Sequence, residues 1–174
     1  MTVYALKGVG PTLGTGTFIA PNASVIGDVV LGDESSIWFG TVVRGDVFPI
    51  RIGARTNVQD NAVVHVTGGV AKTTIGDDAT VGHGSIIHGC TIGNRCLIGM
   101  GSIILDGAVI EDDCFVGAGS LVPPRMRVPT RSLVMGRPAR VVRLLSAADL
   151  DHIRESGALY VGYARDFAAG LMPA

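Results

Sequence analysis

Three histidines, His65, His83 and His88, fall within one short stretch of a chain that contains only one other. A neutral imidazole offers a nitrogen lone pair to a divalent ion. Three of them form the donor set of an open metal site, with a fourth position free for water or substrate. Arg44, Asp46, Gln59 and Asp60 supply charge and hydrogen bonding close by. The fourth histidine, His152, is read as a helix-surface residue. Whether the other three can meet depends on what carries them.

An aliphatic residue recurs at every sixth position. One series runs Leu13, Ile19, Val25, Leu31, Ile37, Val43; a second Ile52, Val58, Val64; a third Ile75, Val81, Ile87. A fourth runs from Ile92 through Ile98, Ile104, Ile110 and Val116 to Val122, fading out through Val128 and Val134. Two residues before each lies a small one, and Cys90, Cys96 and Cys114 all fall in that register, as core residues rather than ligands or nucleophiles. Glycine often follows the aliphatic residue. A period of six does not fit an amphipathic helix, whose apolar residues recur at three and four. It fits a triangular β-coil, with one hexapeptide per face and successive coils stacked about 4.8 Å apart.

Allowing for phase breaks, the series groups into six coils, 13/19/25, 31/37/43, 52/58/64, 75/81/87, 92/98/104 and 110/116/122. Two insertions, near Asp46–Pro49 and Thr67–Lys72, are expected as loops projecting from corners, where function concentrates. In this frame His65 follows Val64 and His88 follows Ile87 on the same face, so the two imidazoles stack and point outward. Arg44, after Val43, extends their column. His83 lies two residues after Val81 on the preceding face, with Asp60 one coil earlier beside Gln59. It diverges across a corner, and a neighbouring chain can deliver it only if three prisms pack about a threefold axis, in a heterologous ring. Stacking by register outweighs the reading of these histidines as solvated surface residues.

Composition agrees with many short strands: 47% hydrophobic but only 5% aromatic, with 25 glycines. A net charge of −1 with no run of Lys or Arg argues against nucleic acid. No apolar stretch is long enough to span a bilayer and no secretory signal is evident, so a cytoplasmic protein is expected. After the coils comes a Pro- and Arg-containing passage from Pro123 that cannot continue a regular strand for long. Ser146 and Asp149 resemble a capping box, predicting a helix over residues 146–167 with Gly157 as a weak point. The expected organisation is a β-helix over residues 1–136 and a C-terminal helical segment, 137–174, packed outside it in the same structural domain.

With VVRGD (Val42 to Asp46), NVQDN (Asn57 to Asn61), the AVVH ending at His65, VGHGSIIHG (Val81 to Gly89) and GRPAR (Gly136 to Arg140), the chain resembles the gamma-class carbonic anhydrases over nearly its whole length. The resemblance implies an all-β, left-handed parallel β-helix in a homotrimer, with a metal at each subunit interface held by His65 and His88 of one chain and His83 of the next. Zinc is the implied ion, with iron or cobalt also suited to three imidazoles. It implies reversible hydration of carbon dioxide to bicarbonate by a metal-bound hydroxide, since zinc brings the pKa of its water from about 15.7 to about 7. Gln59 would orient that water with Asp60 as hydrogen-bond partner. Arg44 and Asp46 would pair across the interface, with Arg44 also able to stabilise bicarbonate, and Tyr160 would stand behind the ligands or else pack in the core. The family's proton-transfer glutamates have no counterpart in Val47-Phe48-Pro49 or in Val66 to Thr74. Gly162 stands where such members carry asparagine. An acyl-CoA thioesterase or acyltransferase on the same fold, and a non-catalytic metal-stabilised scaffold, are the competing readings.

Overall fold

The six-residue period builds three ladders of parallel strands, seen in a computed structural model that describes residues 2–172. Along the first face Leu13, Leu31, Ile52, Ile75, Ile92, Ile110 and Val128 stand in register. The second face aligns Ile19, Ile37, Val58, Val81, Ile98, Val116 and Val134. The third aligns Val25, Val43, Val64, Ile87, Ile104 and Val122. The result is a left-handed parallel β-helix of about seven turns closed by one C-terminal helix. Beside these aliphatics, Ala62, Ala79, Cys96, Ser102, Ala108 and Cys114 are wholly buried, so each face gives the narrow prism one large and one small side chain. Glycine follows the aliphatic residue because stacked corners nearly touch there. A Cβ on Gly32 would come within 2.5 Å of the Ala54 amide nitrogen one coil on.

The outward side chains fall into three rows with different fates. On the first face Val30, Arg51, Thr74, Thr91, Val109 and Arg127 form a mixed row open to solvent. On the second, Phe18, Ser36, Asn57, Thr80, Leu97, Phe115 and Leu133 lie beneath helix α1, Ala147–Gly170. On the third, Val42, Val63, Ile86, Ile103 and Leu121 make an aliphatic row that none of the described residues covers. Val63 and Ile86 are each 39% exposed. This bare stripe borders the site described below.

Helix α1 begins where the Ser146 and Asp149 spacing predicts, with both halves of the capping box made. Arg143 and then Ser146 hydrogen-bond the Asp149 carboxyl and hold it well below its ordinary value. Leu150 and Ile153 dock against Leu97 and Leu145. At the other end Phe167 packs edge-on against Trp38, ring centroids 5.2 Å apart. Gly157 is buried mid-helix, where an added Cβ would meet only the Asp78 carbonyl oxygen, at 3.6 Å. Gly157→Ala is therefore expected to stabilise the protein by about 0.5–1 kcal/mol, read from the urea midpoint.

Four details differ from the sequence reading. Leu13 is in register yet 38% exposed, because it caps an end with no further coil above it on that face. Residues Thr2–Tyr4 add a strand against Ser24–Ile26. The first insertion is not a separate loop: the chain stays extended from Val42 to Ile52, and the register jumps so that Gly45 faces Gly27 and Ile50 faces Val29. The second is a tight turn closed by Thr67 and Ala71, as expected. The Pro-rich passage remains in strands. Val128 and Val134 start a seventh turn, and Ser132–Gly136 hairpins back through Ala139–Leu144, with Pro138 at the turn, where no strand hydrogen bond is needed. Among the described residues no helix is long and apolar enough to cross a membrane.

Candidate metal centre

His65 and His88 are direct ladder partners on the third face, each one residue past a buried aliphatic that anchors it. Their ring centroids are 5.1 Å apart, and His65 Nδ1 faces His88 Nε2 at 3.2 Å. Both rings are braced from outside by a carboxylate. His65 Nε2 lies 3.0 Å from Asp46 Oδ1, and His88 Nδ1 lies 2.6 Å from Asp106 Oδ1. The Thr67 hydroxyl donates to Asp106 Oδ2 at 2.6 Å, tying the turn after His65 to the brace behind His88.

With both imidazoles neutral and each carboxylate accepting from an N–H, the two nitrogens that face each other both present lone pairs. Two lone pairs at that distance repel unless a proton or a metal ion lies between them. On a tetrahedral zinc with bonds of 2.0–2.1 Å, two nitrogens sit about 3.3 Å apart, close to the spacing observed. The donor set therefore fits a borderline divalent ion, with carboxylate–imidazole support behind both ligands.

The carboxylates themselves are biased toward the anion. Burial works against ionisation of Asp46, but hydrogen bonds from His65 and its own backbone, together with Arg44, outweigh it and lower its pKa. For Asp106 the bond from Thr67 is the largest influence; it and His88 overcome a smaller burial effect to lower the pKa. Arg44 pairs with Asp46 inside one chain, rather than only across an interface as the resemblance implied.

His83 sits at the next corner, between the second and third faces. Its Nδ1 meets Asp60 Oδ2 at 2.8 Å, and its Nε2 lies 3.5 Å from the Tyr160 hydroxyl. The side chain is 47% exposed, the most open of the three. Among the described residues no three His, Cys, Asp or Glu side chains of one chain gather about a common point. Gln59 is buried under α1, where its amide donates to Asn57 Oδ1 at 3.1 Å, while Asp60 serves His83 instead of Gln59. Tyr160 packs edge-on against Trp38, centroids 5.3 Å apart, and burial raises its hydroxyl pKa, with Asp60 adding to the effect. His152 lies exposed on the helix, near Phe115.

The motif reading missed Asp106 and Thr67. Asp106 follows Ile104 by two residues, as Gly89 follows Ile87, so it stacks on Gly89 one coil on, whereas the histidine column itself continues to Leu105.

Comparison with known proteins gives four matches. The bacterial transferase hexapeptide (six repeats) family matches residues 10–45, 72–104 and 89–124. A carbonic anhydrase of Geobacillus kaustophilus is 46% identical over 159 residues, covering 91% of this chain and 87% of its own. The mitochondrial gamma carbonic anhydrase 2 of Arabidopsis thaliana is 44% identical over 164 residues, and this chain spans 59% of its length and matches over 91% of itself. A solved structure of a hexapeptide transferase family protein from Anaplasma phagocytophilum superposes with a TM-score of 0.92 at 41% identity, covering 95% of this chain and 98% of that one.

Proposed function

Because the chain belongs to the gamma carbonic anhydrase-like hexapeptide-repeat family, we propose that it is a metal-dependent lyase interconverting carbon dioxide and bicarbonate. The observation that carries this reading is the facing pair His65 and His88, whose lone pairs call for a cation and whose outer nitrogens are already satisfied.

The third ligand is His83 of a neighbouring copy. The bare aliphatic row of the third face lies between the two corners that carry His83 and the His65–His88 pair. Packing three such faces about an axis buries the row and brings the His83 corner of one prism toward the paired imidazoles of the next. That assembly is a closed homotrimer with three sites.

His65, His88 and a neighbour's His83 would hold a divalent ion, zinc or else iron or cobalt, which would supply the Lewis acidity to activate water at neutral pH. The chain's own residues do the rest. Asp46 and Asp106 hold the two imidazoles in the tautomers that leave a lone pair inward, and Asp60 does the same for His83. Arg44, next to Asp46, presents a fixed cation on the same column, suited to holding the bicarbonate product. Gln59 stays with the buried network under α1, donating to Asn57.

One observation favours a second reading, hydrolysis or transfer of an acyl thioester. A cavity of about 310 Å³ is walled by Leu6, Val9, Val47, Phe48 and Pro49 together with Lys7, Asp28 and Asp46, a lining whose apolar side could take an acyl chain. Assaying carbon dioxide hydration and thioester cleavage on the same metal-loaded preparation separates the two. Cleavage without hydration would overturn the lyase reading, and metal with neither activity would favour a scaffold.

The Asp106 brace gives its own prediction. Asp106→Ala frees the outer nitrogen of His88 and is expected to weaken metal binding by about 10–100-fold, measured by chelator competition. Thr67→Ala should move it in the same direction by less.

A further inference from the structure

We propose that the C-terminal end of the β-helix is a docking edge for an acidic, extended peptide segment of another protein, which adds as a strand to residues Ala139–Leu144.

The arginines divide sharply. Arg44, Arg51, Arg55 and Arg95 are each paired with an aspartate, as are Arg143 and Arg154, and Arg127 and Arg165 pair with glutamates. Among the described residues Arg125, Arg131, Arg137 and Arg140 alone have no carboxylate, and all four are exposed on the last turn and its hairpin. The chain holds no Asp or Glu from residue 114 to 148. Guanidinium groups left without carboxylates in a molecule that pairs all its others mark a place where the acid comes from elsewhere.

The backbone there is also unfinished. Ala139–Leu144 is hydrogen-bonded to Ser132–Gly136 on one side and is the last strand of its sheet. Val141, Val142 and Leu144 are exposed, Leu144 to 71%. An edge with exposed apolar side chains beside the uncommitted Arg137 and Arg140 matches a strand that carries acidic and apolar residues. A second copy of the same edge fits poorly, because residues 114–148 hold no carboxylate to offer these arginines.

The test uses the intact protein and a capped, fluorescent Glu-Val-Glu-Ile-Glu-Val peptide, followed by anisotropy. Binding is expected, with about a tenfold or greater loss when Lys replaces Glu, when alternate amides are N-methylated, or when the protein carries Arg137→Glu with Arg140→Glu. The double variant should keep the wild-type oligomeric mass and metal content, which shows that it is folded. No binding at millimolar peptide overturns the proposal. So does undiminished binding of the N-methylated peptide, which would mean charge contact without strand addition. Binding to phosphatidylserine vesicles that the double variant loses, with no binding of peptide, would assign the patch to a lipid surface instead.

Discussion

Refolding His65→Ala chains together with an equal amount of His83→Ala chains is expected to restore about one active site in four, although each variant alone falls to the uncatalysed background. The arithmetic comes from the shared site. As proposed, that site needs His65 and His88 from one chain and His83 from the next, so it is complete only where a chain with intact His65 precedes a chain with intact His83. Random assembly meets each condition half the time. His88 gives the control: His65→Ala mixed with His88→Ala should recover nothing, because those two imidazoles are ladder partners on one chain. Carbon dioxide hydration and bound metal per chain should rise together in the first mixture and stay flat in the second. If mass spectrometry shows mixed oligomers but the first mixture stays inactive, the three histidines do not share an intersubunit site.

The period of six made most of the scaffold legible. Once each aliphatic is assigned to a face, the ladder of Val64 with Ile87 follows, and with it the contact of His65 with His88. The same count placed Asp60 one coil before His83, where the two side chains meet. Periodicity fails where the chain departs from it. The jump between Gly45 and Ile50 shifts by three residues within a continuous strand, and nothing in the count says whether the extra residues leave the ladder or stretch along it. Side-chain choices within a coil were equally hidden. Gln59 and Asp60 are adjacent, yet one turns under α1 toward Asn57 and the other toward His83, because helix packing decides the first and the corner decides the second. The count carries the series as far as Val128 and Val134, but the prolines hide that the chain then turns back as a strand over Ala139–Leu144.

Ile86→Glu is expected to convert the assembly to monomers while leaving the prism folded. Ile86 lies in the middle of the bare row, in register with Val63 on one side and Ile103 on the other. Its side chain points away from the core, which is filled at that level by Ile87, so the variant disturbs no internal packing. In a threefold assembly the same substitution enters each of the three interfaces, and a carboxylate taken from water into an aliphatic contact without a partner costs several kcal/mol. Each interface should then weaken by about a hundredfold or more. Sedimentation should show a single subunit, far-ultraviolet circular dichroism should be unchanged, and metal retention should fall because His83 no longer reaches the paired imidazoles. Thr91→Glu, on the solvent-facing row of the first face, should change none of these. An intact oligomer in the Ile86→Glu protein would mean that the aliphatic row does not hold the subunits together, and another surface would have to bring His83 to its place.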